Sequence, residues 1–132
     1  MITGLNHLTI AVTNLERSFD FYMNILDFQP HAKWDKGAYL SLGSLWLCLA
    51  VDEVEKRQDY THFAFTIYDL EIEKFRKKLQ YFKVLEWKEN KSEGASIYFL
   101  DPDGHKLEVH VGSLESRLAE CKRKPYKDMI FF

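Results

Sequence analysis

Long apolar runs are missing from this chain of 132 residues. None approaches the ~18 residues that a membrane-spanning helix requires, so no membrane partner is expected. A basic surplus is missing too: 18 Lys and Arg stand against 20 Asp and Glu, a formal net charge of −2. Proteins that track a phosphate backbone normally carry excess positive charge, which argues against nucleic acid as a partner. The first residues, MITGLNHLTIAV, lack the basic n-region of a secretory signal and already alternate like a strand. Cysteine is scarce, and Cys48 and Cys121 show no paired-motif spacing. Two reduced thiols in a cytoplasmic protein are the expectation.

Large rings are abundant instead. Aromatics make up 15% of the chain, with 10 Phe, 7 Tyr and 3 Trp, and 46% of residues are apolar. That composition suits one folded domain whose rings fill a core and still line a pocket.

Alternation and caps divide the chain into two similar parts. Leu5 to Val12 alternates, with His7, Thr9 and Ala11 on one face. Thr13 and Glu16 have capping-box spacing, with Asn14 an alternative cap, ahead of an apolar helical stripe of Leu15, Phe19, Tyr22 and Leu26. Asp27 to Pro30 ends that helix. Strands are predicted near His31 to Trp34, Ala38 to Leu42 and Leu45 to Val51. The charged stretch Asp52 to Asp59 is the one plausible linker. The pattern then repeats: Tyr60 to Ile67 alternates, and Asp69 is placed to cap a helix with Ile72, Phe75, Leu79 and Phe82 on its stripe. Strands follow near Val84 to Lys88, Ser96 to Leu100 and His105 to Val111, and Ser113 caps a last helix. The predicted class is α+β: two tandem βαβββ units, about 1–52 and 59–112, with a C-terminal helix and tail at 113–132, all in one domain.

The hairpin around Asp101-Pro102-Asp103-Gly104 is the most informative stretch. Pro102 presets φ and Gly104 accepts a positive φ, so the chain reverses. On the returning strand Glu108 shares a face with Lys106 and His110. A carboxylate fixed in mid-strand is costly unless a cation meets it. His7 and His62 occupy equivalent places in the two units, in Asn6-His7-Leu8-Thr9 and Thr61-His62-Phe63-Ala64. Two imidazoles and one carboxylate form an N,N,O set suited to a divalent metal with open positions. His110 is a rival ligand, whereas His31 and His105 read as exposed. The loop Asn90 to Ser96 can wrap oxygens around a monovalent cation or donate to an anion. Lys88, Ser96, Tyr98 and Arg117 could form an anion pocket beside the metal. Trp34, Tyr39 and Trp46 read by default as core.

These residues carry a resemblance. The duplicated strand–helix–three-strand pattern with His7, His62 and Glu108 resembles the vicinal oxygen chelate superfamily. More narrowly, GLNHLTIAV, WDKGAYLSLGSLWLCL, DYTHFAF, WKENKSEGASIYFLDPDGHKLEVHVG and the RLAECKRKPY tail look like the fosfomycin resistance glutathione transferases. The resemblance spans nearly the whole chain. Its WKENKSEG loop points to the glutathione-using branch over the bacillithiol-using one.

The resemblance implies a homodimer of curved mixed sheets whose units pair across subunits. It implies a Mn²⁺ site at His7, His62 and Glu108, with His7 from the other chain. It implies a K⁺ loop at Asn90, Ser92, Gly94 and Ser96, and phosphonate contacts from Thr9, Lys88, Ser92, Ser96, Tyr98 and Arg117. Trp34, Tyr39, Trp46 and Lys91 match positions near a thiol channel, and Lys36, Ala50 and Lys91 depart from the residues often found there. The activity implied is glutathione addition to the epoxide of fosfomycin. The alternatives are another metalloenzyme of the superfamily, an isomerase or dioxygenase, or a metal-free module that sequesters an antibiotic.

Overall fold

A computed structural model describes residues 1–132. Strand β1 (His7–Val12) leads into helix α1 (Leu15–Asp20), which widens into a π-helical turn at Phe21–Ile25. Strands β2 (Gln29–Trp34), β3 (Gly37–Leu42) and β4 (Leu45–Val51) complete a sheet in the order β1-β4-β3-β2. The second half repeats this plan with β5 (Phe63–Thr66), a 3₁₀ turn at Asp69–Glu71, α2 (Ile72–Tyr81), β6 (Glu86–Lys88), β7 (Ser96–Leu100) and β8 (Lys106–His110). Its sheet has the order β5-β8-β7-β6, and α3 (Leu114–Arg123) follows. The first strand of each half pairs in parallel with the last, and the other pairs are antiparallel. The architecture is thus the α+β duplication that the sequence predicts.

Local chemistry explains most boundaries. Asn14 caps α1 by accepting from the Arg17 amide at 3.0 Å. The Thr13–Glu16 box does not form, because the Thr13 hydroxyl is committed to Asp103. Asp69 makes no cap hydrogen bond either. It opens the 3₁₀ turn, and α2 starts three residues later. Strand β2 begins before the predicted His31 and takes in Pro30, which an edge strand tolerates because one of its two edges needs no ladder donor. The extra residue of the π-helical turn swings Phe21 and Ile25 into the core beside Tyr22, widening the predicted stripe.

The apolar faces of both sheets merge into a single core of 18 buried residues. Phe28 of the first half meets Phe65 of the second edge-on at 5.7 Å. A polar clasp joins the halves beside it. The β7–β8 turn carries two buried carboxylates to α1. Asp103 accepts from the Thr13 amide and hydroxyl, from Arg17 at 3.0 Å and from Ser18 at 3.4 Å. Asp101 accepts from the Tyr22 hydroxyl at 2.8 Å. His105, expected to be exposed, is half-buried and donates from Nε2 to the Ala11 carbonyl at 2.7 Å. His31 is exposed as expected. Cys48 and Cys121 are both buried and free. No helix is long and apolar enough to cross a membrane.

Burial, and then the nearby charge of Asp101, push the Tyr22 phenol well above its ordinary value. An unfolded tyrosine ionises near pH ~10, so Tyr22 costs stability as pH rises past that point. Tyr22→Phe should therefore flatten the alkaline limb of urea-unfolding free energy above pH ~10. Asp103→Ala leaves the donors of α1 without their acceptor and should lower unfolding free energy by about 2–3 kcal/mol at pH 7, measured by urea titration.

Candidate functional site

The face of the second sheet that points away from the core carries Lys106, Glu108 and His110 on β8, with Tyr98 directly opposite Glu108 and Ser96 opposite His110. Glu108 and Ser96 are buried on this face, with relative exposures of 7% and 6%. His62, just before β5, brings Nε2 to 2.9 Å from Glu108 Oε2. Its Nδ1 lies 2.8 Å from the Tyr60 carbonyl. A carbonyl only accepts, so Nδ1 holds the ring proton. In the neutral ring the Nε2 lone pair then confronts a carboxylate oxygen. Two lone pairs at hydrogen-bond distance repel unless a cation, a proton or a metal ion, lies between them. This donor pair can hold a divalent ion, and the Tyr60 carbonyl fixes the tautomer as metal-binding histidines require.

A row of donors runs alongside. The Lys88 ammonium lies 4.8 Å from the centre of the Tyr98 ring and 4.5 Å from that of Tyr60, and it donates to the Tyr60 hydroxyl. That hydrogen bond is the main cause of the raised Lys88 pKa, which keeps the group cationic. Burial, and then the Glu108 charge, raise the Tyr98 phenol, so it stays a proton donor. Arg117 reaches the Ser92 hydroxyl at 3.3 Å and the Glu93 carbonyl at 3.1 Å. In the same loop Asn90 Nδ2 donates to the Gly94 carbonyl at 2.7 Å and toward the Ser92 carbonyl at 3.5 Å. Gly94 turns with φ 76°, which draws these oxygens inward.

The remaining candidates lie on the first sheet. His7 and Thr9 are exposed on β1, and no three His, Cys, Asp or Glu side chains of one chain come together as a metal cluster. His7 stacks on Trp46 at 4.6 Å, Trp46 on Tyr39 at 5.4 Å, and Tyr39 on Trp34 at 4.8 Å. These rings are not core: Trp34, Tyr39 and Trp46 are 44%, 39% and 39% exposed. They stand on the sheet face away from the helix, where nothing in the chain covers them. Lys91 is exposed. Tyr60 and Trp87, absent from the sequence-derived candidates, box in His62 at 4.8 and 5.5 Å. Period-2 alternation over Tyr60 to Ile67 places Tyr60 on the His62 face, a signal present in the sequence.

Register exposes an asymmetry between the halves. Thr9 pairs with Cys48 in the first sheet as Ala64 pairs with Glu108 in the second. Tyr39 opposes Cys48 as Tyr98 opposes Glu108. The first half thus repeats the scaffold and offers a thiol in place of the carboxylate.

A model of the Glyoxalase/Bleomycin resistance protein/Dioxygenase superfamily matches residues 4–109. The chain belongs to this superfamily, and several solved structures that it resembles are of fosfomycin resistance proteins. It is 52% identical to glutathione transferase FosA of Serratia marcescens, over 99% of this chain and 96% of that one. It is 41% identical to metallothiol transferase FosB of Staphylococcus haemolyticus, over 96% of each. A crystal structure of a mutant of the fosfomycin resistance protein FosX from Listeria monocytogenes superposes with a TM-score of 0.85 at 31% identity. It covers 91% of this chain and 98% of that one, and it contains Mn(II) and 1S,2S-dihydroxypropylphosphonic acid.

Glu108→Gln keeps the shape of the carboxylate and removes its charge. If the pair holds a divalent ion, added Mn²⁺ should raise the thermal midpoint of the parent and leave that of Glu108→Gln unchanged.

Proposed function

We propose that the protein is a metal-dependent transferase that inactivates fosfomycin by adding glutathione to its epoxide. The observation that carries this reading is the His62–Glu108 pair, two lone-pair donors turned on one another at 2.9 Å beside a row of cationic and hydroxyl donors. The identity of 52% to a glutathione transferase, against 41% to a metallothiol transferase, supports glutathione as the thiol.

His62 and Glu108 would hold a Mn²⁺ ion together with His7 of a second copy of the chain. The lack of a third ligand within one chain, and the exposure of His7 beside half-exposed rings, support a homodimer that shares its sites. Bound there, the ion would act as a Lewis acid toward the epoxide oxygen. Lys88, Ser92, Tyr98 and Arg117 receive the phosphonate, their hydrogen-bond donors and positive charge offsetting its two negative charges. Thr9, from the second copy's sheet, adds a hydroxyl. Charge compensation also lets an anionic thiolate approach. The thiol loses its proton, the sulfur–carbon bond forms as the carbon–oxygen bond of the ring breaks, and the freed oxygen ends as a hydroxyl. The half-exposed Trp34, Tyr39 and Trp46, with Lys91, line the thiol's approach, and Tyr39 or Thr9 orients the thiol.

The carbonyls gathered by the Asn90 amide form the K⁺ site in this reading, with Ser92 and Ser96 as further ligands. Superfamily isomerases and dioxygenases are disfavoured, because the register partner of Glu108 in the first half is Cys48 and not a hard fourth ligand.

The purified protein incubated with fosfomycin, glutathione and Mn²⁺ should give the thioether adduct by NMR, and should give little after chelation. Absence of a metal-dependent adduct overturns the reading. Lys88→Met should raise the fosfomycin KM roughly tenfold or more, consistent with a lost charge-assisted hydrogen bond.

A further inference from the structure

Glu108 has two oxygens, and only Oε2 faces His62. Oε1 lies 2.6 Å from the buried Ser96 hydroxyl, and that hydroxyl lies 2.7 Å from His110 Nδ1. The direction of both hydrogen bonds follows from the donor inventory. An ionised carboxylate only accepts, so the single Ser96 proton goes to Oε1. The Ser96 oxygen is then left as the acceptor for His110, whose Nδ1 must carry a proton. His110 is held in turn by the backbone around it. A Cβ on Gly94 would come within 2.9 Å of its Cε1, and one on Gly112 within 2.7 Å of its Nε2. The loop 90–96 and the β8–α3 junction therefore clamp the ring from two sides.

We infer that His110 and Ser96 are positioning residues. Through the relay His110 Nδ1–H to Ser96 O–H to Glu108 Oε1, they fix the carboxylate rotamer that presents Oε2 to the ion. Two consequences separate this from the roles the sequence suggests. His110, a rival ligand by periodicity, acts through Ser96, since its Nδ1 stands 3.6 Å from Glu108 Oε1, beyond hydrogen-bond reach. Ser96 has no proton left for a phosphonate, so its loss should weaken the ion's site more than the substrate's. The relay also ties the 90–96 loop to the ligand pair, since the loop ends at Ser96 and packs on His110.

The inference rests on the metal reading above, and the test keeps the two apart. Mn²⁺ alone is titrated into the full-length protein, with free ion followed by EPR, for the parent, His62→Ala, Ser96→Ala, His110→Leu and His110→Asn. Loss of a group that orients a ligand typically costs ~10–100-fold in metal affinity. Ser96→Ala and His110→Leu should each fall in that range. His110→Asn, whose amide can donate near the place of Nδ1, should recover most of the loss. Circular dichroism of the metal-free variants checks folding, and the Asn rescue covers a leucine variant that misfolds. If His62→Ala keeps parental affinity, the metal reading itself falls. If His62→Ala loses affinity but His110→Leu keeps it, or Asn fails to rescue where Leu weakens, only the relay is overturned. A large rise in fosfomycin KM in Ser96→Ala, with Mn²⁺ affinity intact, returns Ser96 to the substrate.

Discussion

The clasp between the β7–β8 turn and helix α1 is the constraint from which the rest of the geometry follows. Each half of the chain is a four-stranded sheet with one helix, too small to bury its own apolar face well. The halves share a core, and the shared core fixes their separation but not their angle. Hydrophobic contact is non-directional. Asp103, with two donors on Thr13 ahead of α1 and two on α1 itself, and Asp101, with Tyr22, supply the direction. His105 adds a third point of attachment at Ala11. The same turn begins β8, so the clasp also sets where Glu108 stands relative to the first half.

Much of this was legible in the sequence. The repeat, the strand faces of His7, His62 and Glu108, and the turn at Asp101 to Gly104 all follow from period-2 alternation and turn chemistry. Other features were not legible, for physical reasons. The Asp69 cap fails because the chain there enters a 3₁₀ turn, a choice made by packing more than by propensity. Thr13 cannot join a capping box because a residue 90 positions away takes its hydroxyl. His105 reads as a turn residue until the other half supplies a carbonyl. In the site, alternation shows which side chains share a face but not where each proton points. Alternation alone leaves His110 and Glu108 equivalent; the resemblance ranks Glu108 first, and the distances to Ser96 show how His110 stands behind it. Tyr60 was on the right face, but its contributions are a carbonyl and an ammonium contact, neither visible as a motif.

The two halves also show what duplication allows. Strand order and register are kept, while the residues on the matching faces diverge. One face became hydrogen-bonded and charged around Glu108. The other has Cys48 at the matching register and is lined with large rings. A single chain therefore carries two unlike surfaces on one scaffold, one charged and hydrogen-bonded, the other aromatic and half-open to solvent.

That division has a spectroscopic consequence. All three tryptophans of the chain belong to ring clusters around a candidate histidine. Trp46 lies 4.6 Å from His7, Trp34 joins it through Tyr39, and Trp87 lies 5.5 Å from His62. None is left elsewhere to contribute background emission. The unlabelled protein thus carries its own optical gauge: a paramagnetic ion between the histidines would quench indole light from both faces. A shift confined to Trp34 and Trp46 would instead report events on the first sheet alone.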